Sequence, residues 1–380
     1  MYTLQQQVFA LAMVASADYT EPHGSPPPLE ADLSTALANL CANDSDMPTW
    51  TMAWGPVVYE SSILGVESGV EDNALFVAQG SDAAGNTVYV VSIAGTNPQS
   101  IFTDVKQEDF NTTLSAWTYG VPTALNLSPN VTQGTLEGLG NLMGMQDPTT
   151  GDSLATFLQG VESTTATVIV TGHSLGGALS PALALALFGD PGNTSSGGAG
   201  LDPADWSAVY VYPIAGPAVG DQDYATFYAT TFPQTTDKQS ETWNLLVWNS
   251  LDVVPHAWNQ MSAIPNLYPD LATSDCLASI LSSLGSSGGS SYVQLQNQML
   301  TGTFAAPTAT LYPVSAFVAE VVYQHVSAYF DLLNVSGVCT ALNISNPLKS
   351  KPSAPMLALC TFLLGEYCKH ESHHKQCGPL

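Results

Sequence analysis

The sequence has no arginine and only 6 basic residues, all lysine, against 32 aspartates and glutamates, which leaves a net charge of −26. A surface this poor in cations cannot displace counterions from phosphates, so nucleic acid is excluded as a partner. Charge-driven docking on anionic membranes is excluded for the same reason. No later segment is long and apolar enough to span a bilayer, since the best run, residues 354–365, is short and interrupted. No internal repeat is present. The tail holds His370, His373 and His374 beside three cysteines, but at no recognised metal-ligand spacing, so no metal is expected there. What is left is a solvated acidic surface suited to neutral or apolar partners. With 380 residues, 45% of them hydrophobic, the chain can bury a sizeable core.

The first residues carry an apolar run, Val8 to Ala15, followed by the A-x-A pattern Ala15-Ser16-Ala17. This reads as a secretory leader cut after Ala17, although no basic residue precedes the run. Cysteines at 41, 276, 339, 360, 368 and 377 form an even set, able to make three disulfides in any of 15 pairings. Asn-x-Ser/Thr acceptors stand at Asn43, Asn111, Asn126, Asn130, Asn193, Asn334 and Asn343. Together these features point to a secreted glycoprotein. The expected organisation is a leader over 1–17, one catalytic domain over 18–347, and a cysteine-bearing tail over 348–380.

Residues 29–42 read as a helix after a Pro-rich lead-in. Two β-rich runs, 74–81 and 86–95, flank the hairpin signal Asp82-Ala83-Ala84-Gly85. Residues 97–117 are polar with scattered Ile101, Phe102, Phe110 and Leu114, and read as either a surface loop or an amphipathic flap. From residue 153 helix and strand alternate: helix 154–162, strand 166–171, helix 175–188, strand 208–212, helix 222–232 and strand 242–248. That alternation predicts crossover units feeding a mostly parallel sheet. Pro181 should kink the helix that contains it. A Gly/Ser-rich insertion, 282–291, precedes a long helical pattern over 314–333.

The chemical signal is Gly172-His173-Ser174-Leu175-Gly176, a G-x-S-x-G nucleophile elbow, with a β-branched strand running in and an Ala/Leu-rich helix running out. A serine on so sharp a turn stands at the carboxyl edge of a sheet, above a helix N-terminus. A second motif, Gly151-Asp152-Ser153-Leu154, spells the nucleophile block of the GDSL hydrolases. No D-x-x-H follows it, and Asp152 or Ser153 as a helix N-cap explains it better. Serine needs a base held in the right tautomer. His23 and the three tail histidines lie in unsuitable segments, and His173 cannot easily turn back to its neighbour. His325 and His256 remain as bases, with Asp252, just past a strand, as the acid. The order Ser174, Asp252, His325 is the one α/β-hydrolases use.

At this point the chain resembles the class 3, fungal-type triacylglycerol lipases and their feruloyl esterase and phospholipase relatives. The resemblance runs over roughly 74–333 and rests on VVSIAGT, VTGHSLGGAL, VYPIAGPAVGDQDYATFY, NSLDVVPHAW and YQHVSAYF, in that order. It implies an α/β-hydrolase fold, a Ser174, Asp252 and His325 triad, and an oxyanion hole from the amides of Thr96 and Leu175. It implies a lid after Thr96, apolar ester substrates at a lipid–water interface, and no cofactor. Two departures stand out. Ala94 occupies the usual Arg position, and Val131-Thr132-Gln133-Gly134-Thr135 lacks the His and aromatic of V-H-x-G-F. A non-catalytic hydrolase-fold binding protein is the rival reading from another class, disfavoured because all three triad positions are filled.

Overall fold

The computed structural model of the chain describes residues 1–16, 26–63, 66–95, 114–268, 271, 291–305 and 313–344. The tail, Thr96, most of the 97–117 segment, the Gly/Ser insertion before residue 291 and four of the six cysteines lie outside the described residues. Of the other two, Cys41 and Cys339 are free thiols.

Seven strands form the central sheet in the order β1 (Thr51–Ile63), β2 (Val66–Ser81), β3 (Thr87–Ile93), β6 (Thr167–His173), β7 (Ala208–Ile214), β10 (Leu246–Asn249) and β11 (Asn297–Leu300). Two short strand pairs lie apart from it: β4 (Leu114–Ala116) with β5 (Asn130–Thr132), and β8 (Thr235–Thr236) with β9 (Thr242–Trp243). The β1–β2 and β2–β3 pairs are antiparallel, and every later pair in the central sheet is parallel. The hairpin at 82–85 closes where expected, with Gly85 N donating to Asp82 O.

Side chains alternate across this sheet with the strand period of two. Val168 and Val170 enter one buried layer, and Ile169 the other. Both faces are covered, so these strands read as continuous apolar runs. Helices α3 (Gln133–Gly144), α4 (Leu154–Gly160), α5 (Leu175–Phe188) and α6 (Gln222–Thr231) contribute to the first layer. The second layer is filled by α1 (Leu4–Ala15), α2 (Pro26–Asn43) and the C-terminal helices. The long pattern near the end is α7 (Pro313–Val322), a π-helical turn at Tyr323–Ser327, and α8 (Ala328–Leu332), with α9 (Ser336–Ala341) after it.

The boundary drawn at residue 17 needs correction. The apolar run read as a leader is helix α1, and Val8, Phe9, Leu11 and Val14 are wholly buried within the second layer. Thr3 and Gln6 close a capping box at its start. Its polar lead-in is equally committed: Gln5 Nε2 donates to Thr242 O and Gln6 Nε2 to Leu333 O. Residues 1–16 are therefore part of the folded domain. The elements β1, α3 and β11 were also not anticipated, whereas α5 spans the expected residues with Pro181 inside it.

Candidate active site

Three parallel strands end together. Ile93 of β3 pairs with Gly172 of β6, and His173 pairs with Ile214 of β7. Beyond β6 the chain turns directly into α5 through Ser174, whose φ of 61° and ψ of −121° form a strained elbow that side chains rarely adopt. Glycines make the turn possible. A Cβ on Gly177 would collide with Ile214 O, and one on Gly176 with Ile93 O.

The Ser174 Oγ lies 2.8 Å from Nε2 of His325. On the other side of that ring, Nδ1 lies 3.0 and 2.9 Å from the two carboxylate oxygens of Asp252. Asp252 is fully buried, and it also accepts from the Tyr329 hydroxyl at 2.8 Å and from Val254 N at 3.0 Å. Burial, then the Asp252 charge, push the Tyr329 phenol well up, so it remains a donor. The carboxylate draws the imidazole proton to Nδ1, which leaves Nε2 free to accept from the serine. That is the tautomer a general base requires.

His256, the other candidate base, takes a different part. Its Nδ1 lies 2.7 Å from Asp252 O, and its ring packs edge-on against Trp248. It fastens the loop that carries Asp252. Ser153 caps α4 by accepting from Thr156 N, as expected for the Gly-Asp-Ser-Leu block. Leu175 is the first residue of α5, where amide hydrogens have no partner inside the helix. Thr96 lies outside the described residues. Gly95, just before it, brings the end of β3 against the elbow, and its N–H donates to Ser16 Oγ at 2.9 Å.

Both departures in the sequence have local explanations. Ala94 is buried, and its N–H donates to Ala74 O, so a cationic side chain there would have to be desolvated. Thr132 caps α3 by accepting from Thr135 N, so polar capping replaces the His and aromatic there.

Residues 90–261, somewhat less than half of the chain, match the family model of the class 3 lipases. The chain is an ester hydrolase on an α/β-hydrolase fold. This lipase overlays the crystal structure of M37 lipase with a TM-score of 0.66 at 23% identity, over 90% of this chain and 98% of that one. MDLA from Penicillium cyclopium overlays with a TM-score of 0.38 at 18% identity, covering 81% and 82% of the two chains. The Rhizomucor miehei triacylglyceride lipase gives 0.37 at 18%, covering 66% and 73%. These last two overlays add nothing to the fold assignment. Among curated proteins no relative matches the lipase.

Several residues of the site escaped sequence reasoning: Tyr329, Asn249, Ser16 and the structural part of His173. Tyr329 was the most accessible of them, lying four residues after His325 and so on the same helix face. His173 is buried, and burial first, then the nearby His325, hold its pKa down at about 3. Its free-chain value is near 6.5, so between those values unfolding takes up a proton. Stability is then fully present above pH 6.5 and declines as pH falls, by about 1.4 kcal/mol per unit for one proton. In the His173→Gln variant, urea unfolding followed from pH 7 to pH 4 will show a slope shallower by about one proton. An unchanged slope would mean that His173 is not the group responsible.

Proposed function

We propose that this lipase hydrolyses carboxylic esters of neutral lipids, acylglycerols foremost, through a Ser174 acyl-enzyme. The observation that carries the reading is the unbroken line from Ser174 Oγ through His325 to the buried Asp252. In this mechanism Ser174 Oγ attacks the ester carbonyl as its proton passes to His325 Nε2. The developing oxyanion is held by the N–H groups of Leu175 and Thr96, each donor worth roughly 3 kcal/mol. His325 then returns the proton to the departing alkoxide, and the acyl-enzyme forms. Water, deprotonated by the same imidazole, releases the acid. Asp252 keeps the ring oriented throughout and stabilises its charged form.

The charge of −26 favours neutral glycerides over anionic phospholipids as substrates. We also propose an extracellular setting. This rests on the glycan acceptors, since the run 8–15 belongs to the fold and the two described cysteines are free thiols. Among those acceptors, Asn43, Asn126, Asn334 and Asn343 are exposed, whereas the Asn130 amide is committed to Ser128 O and Asp221.

The test is a substrate panel on the purified full chain: tributyrin and triolein, the anionic phosphatidylglycerol, methyl ferulate and p-nitrophenyl butyrate, each with Ser174→Ala alongside. Glycerides should turn over fastest, and Ser174→Ala should lose about 10⁴-fold or more in kcat. Preference for methyl ferulate would reassign the substrate, and a Ser174→Ala variant as active as the parent would remove the mechanism.

A further inference from the structure

Of the two acid–base partners, Asp252 sits in a loop fastened on several sides, whereas His325 is carried by a helix that must present its ring at one height and tilt. The helix is widened at this point. In the π-helical turn Tyr323–Ser327 the closing N–H, from Ala328, reaches back five residues to Tyr323 O. Such turns are rare and concentrate at functional sites. Two successive carbonyl oxygens of this turn face the sheet, and each accepts a side-chain N–H from a strand end. Asn249 Nδ2, at the end of β10, donates to Gln324 O at 2.9 Å. His173 Nε2, at the end of β6, donates to His325 O at 2.7 Å.

Neither donor has freedom to do otherwise. Asn249 is fully buried, its second Nδ2 hydrogen goes to Gln324 Oε1 at 2.7 Å, and its Oδ1 accepts from Leu251 N. That pattern fixes which end of the amide is nitrogen. Gln324 is held in turn by Glu320 and Thr303 O. His173 is buried with its ring 4.7 Å from that of His325, and a carbonyl partner requires that its Nε2 carry the proton.

The placement of the two donors along the chain gives the arrangement its meaning. His173 immediately precedes Ser174, and Asn249 stands three residues before Asp252. We infer that His173 and Asn249 are positioning residues that gauge His325 against the strands carrying its two partners. The turn is bonded once to the strand of the nucleophile and once to the strand of the acid. Any drift of the ring away from either partner must break one of these bonds. This inference rests on the proposed triad.

The experiment compares variants of the full chain on p-nitrophenyl butyrate, with active sites counted by a fluorophosphonate. Asn249→Asp keeps the volume but offers oxygen where the donor stood, and His173→Leu removes its donor. Each should lower kcat per counted site roughly 10- to 100-fold, with KM changed by less than about twofold. His173→Gln, whose amide can donate at a similar reach, should recover most of the loss. If Asn249→Asp does not fold, the uncharged Asn249→Ser carries the same expectation. A purely structural role would lower Tm and the number of counted sites while leaving kcat per site at the parent value, and that result would overturn the inference. A parent in which the phosphonate labels a residue other than Ser174 would overturn the triad reading and the inference with it.

Discussion

A chain that begins at residue 17 will fail to fold. Helix α1 buries Val8, Phe9, Leu11, Met13 and Val14 almost completely. At roughly 1.5–3 kcal/mol per large apolar side chain their burial contributes on the order of 10 kcal/mol, as much as the whole stability of an ordinary domain. The helix also closes polar accounts. Leu11 O accepts from Ser92 Oγ on β3, and Gln7 Oε1 accepts from Trp50 Nε1. Removal would leave both donors buried without partners, each a further destabilisation of about 1–3 kcal/mol. The shortened chain is expected in the insoluble fraction, without a cooperative thermal transition by circular dichroism. Soluble, active protein lacking residues 1–16 would show that the helix is dispensable and restore the leader reading.

Asp252→Asn will keep the fold and lose catalysis, by about 10⁴-fold in kcat if it behaves as the equivalent change does in other serine triads. The reason lies in the donors around the carboxylate. Val254 N–H points at one oxygen and the Tyr329 hydroxyl at the other. An amide in this place must turn its NH2 toward one of these donors or toward His325. Turned toward the imidazole, it donates to Nδ1 and drives the proton to Nε2, where it blocks the serine. Tyr329→Phe offers a graded comparison. Two hydrogen bonds are lost, the charge-assisted one to the carboxylate, about 1.5–3 kcal/mol, and the one accepted from Asn249 N–H, while the carboxylate keeps its charge, so the expected loss is roughly 10- to 150-fold. Steady-state rates per phosphonate-counted site measure both variants. An Asp252→Asn variant within tenfold of the parent would show that another group orients His325.

The elbow could be read in advance because three independent signals coincide there: a β-branched strand, small residues around a serine, and a helix that starts at once. Strand and helix positions from 154 to 232 were legible on similar grounds, since short β-branched apolar runs alternate there with longer helix-forming stretches. The N-terminal helix was misread because an apolar run ending in small residues satisfies a leader and a buried helix equally well. The distinguishing feature lay ahead of the run, in Thr3, Gln5 and Gln6 where a leader has basic residues: Thr3 caps the helix, and the two glutamines bond to the rest of the fold. Strand β1 was obscured by Gly55 and Pro56, which interrupt its alternation and coincide with irregular pairing to β2. In the site, Ser174, Asp252 and His325 announce themselves by chemistry and chain order. Asn249 and His173 act through backbone carbonyls, and the position of a carbonyl in space leaves no trace in residue type.

Helix α1 runs between the two rims of the sheet, and the hydrogen bond from Gly95 to Ser16 lies at one end of it. At the opposite end, about 18 Å away by helical rise, Tyr2 reaches Asp44. The two ends of this segment therefore differ in what they tolerate. Extra residues ahead of Tyr2, such as an affinity handle, emerge at the end of the helix remote from Gly95 and Ser174. Trimming or slackening near Ser16 acts at once on Gly95, at the end of β3 beside Ser174.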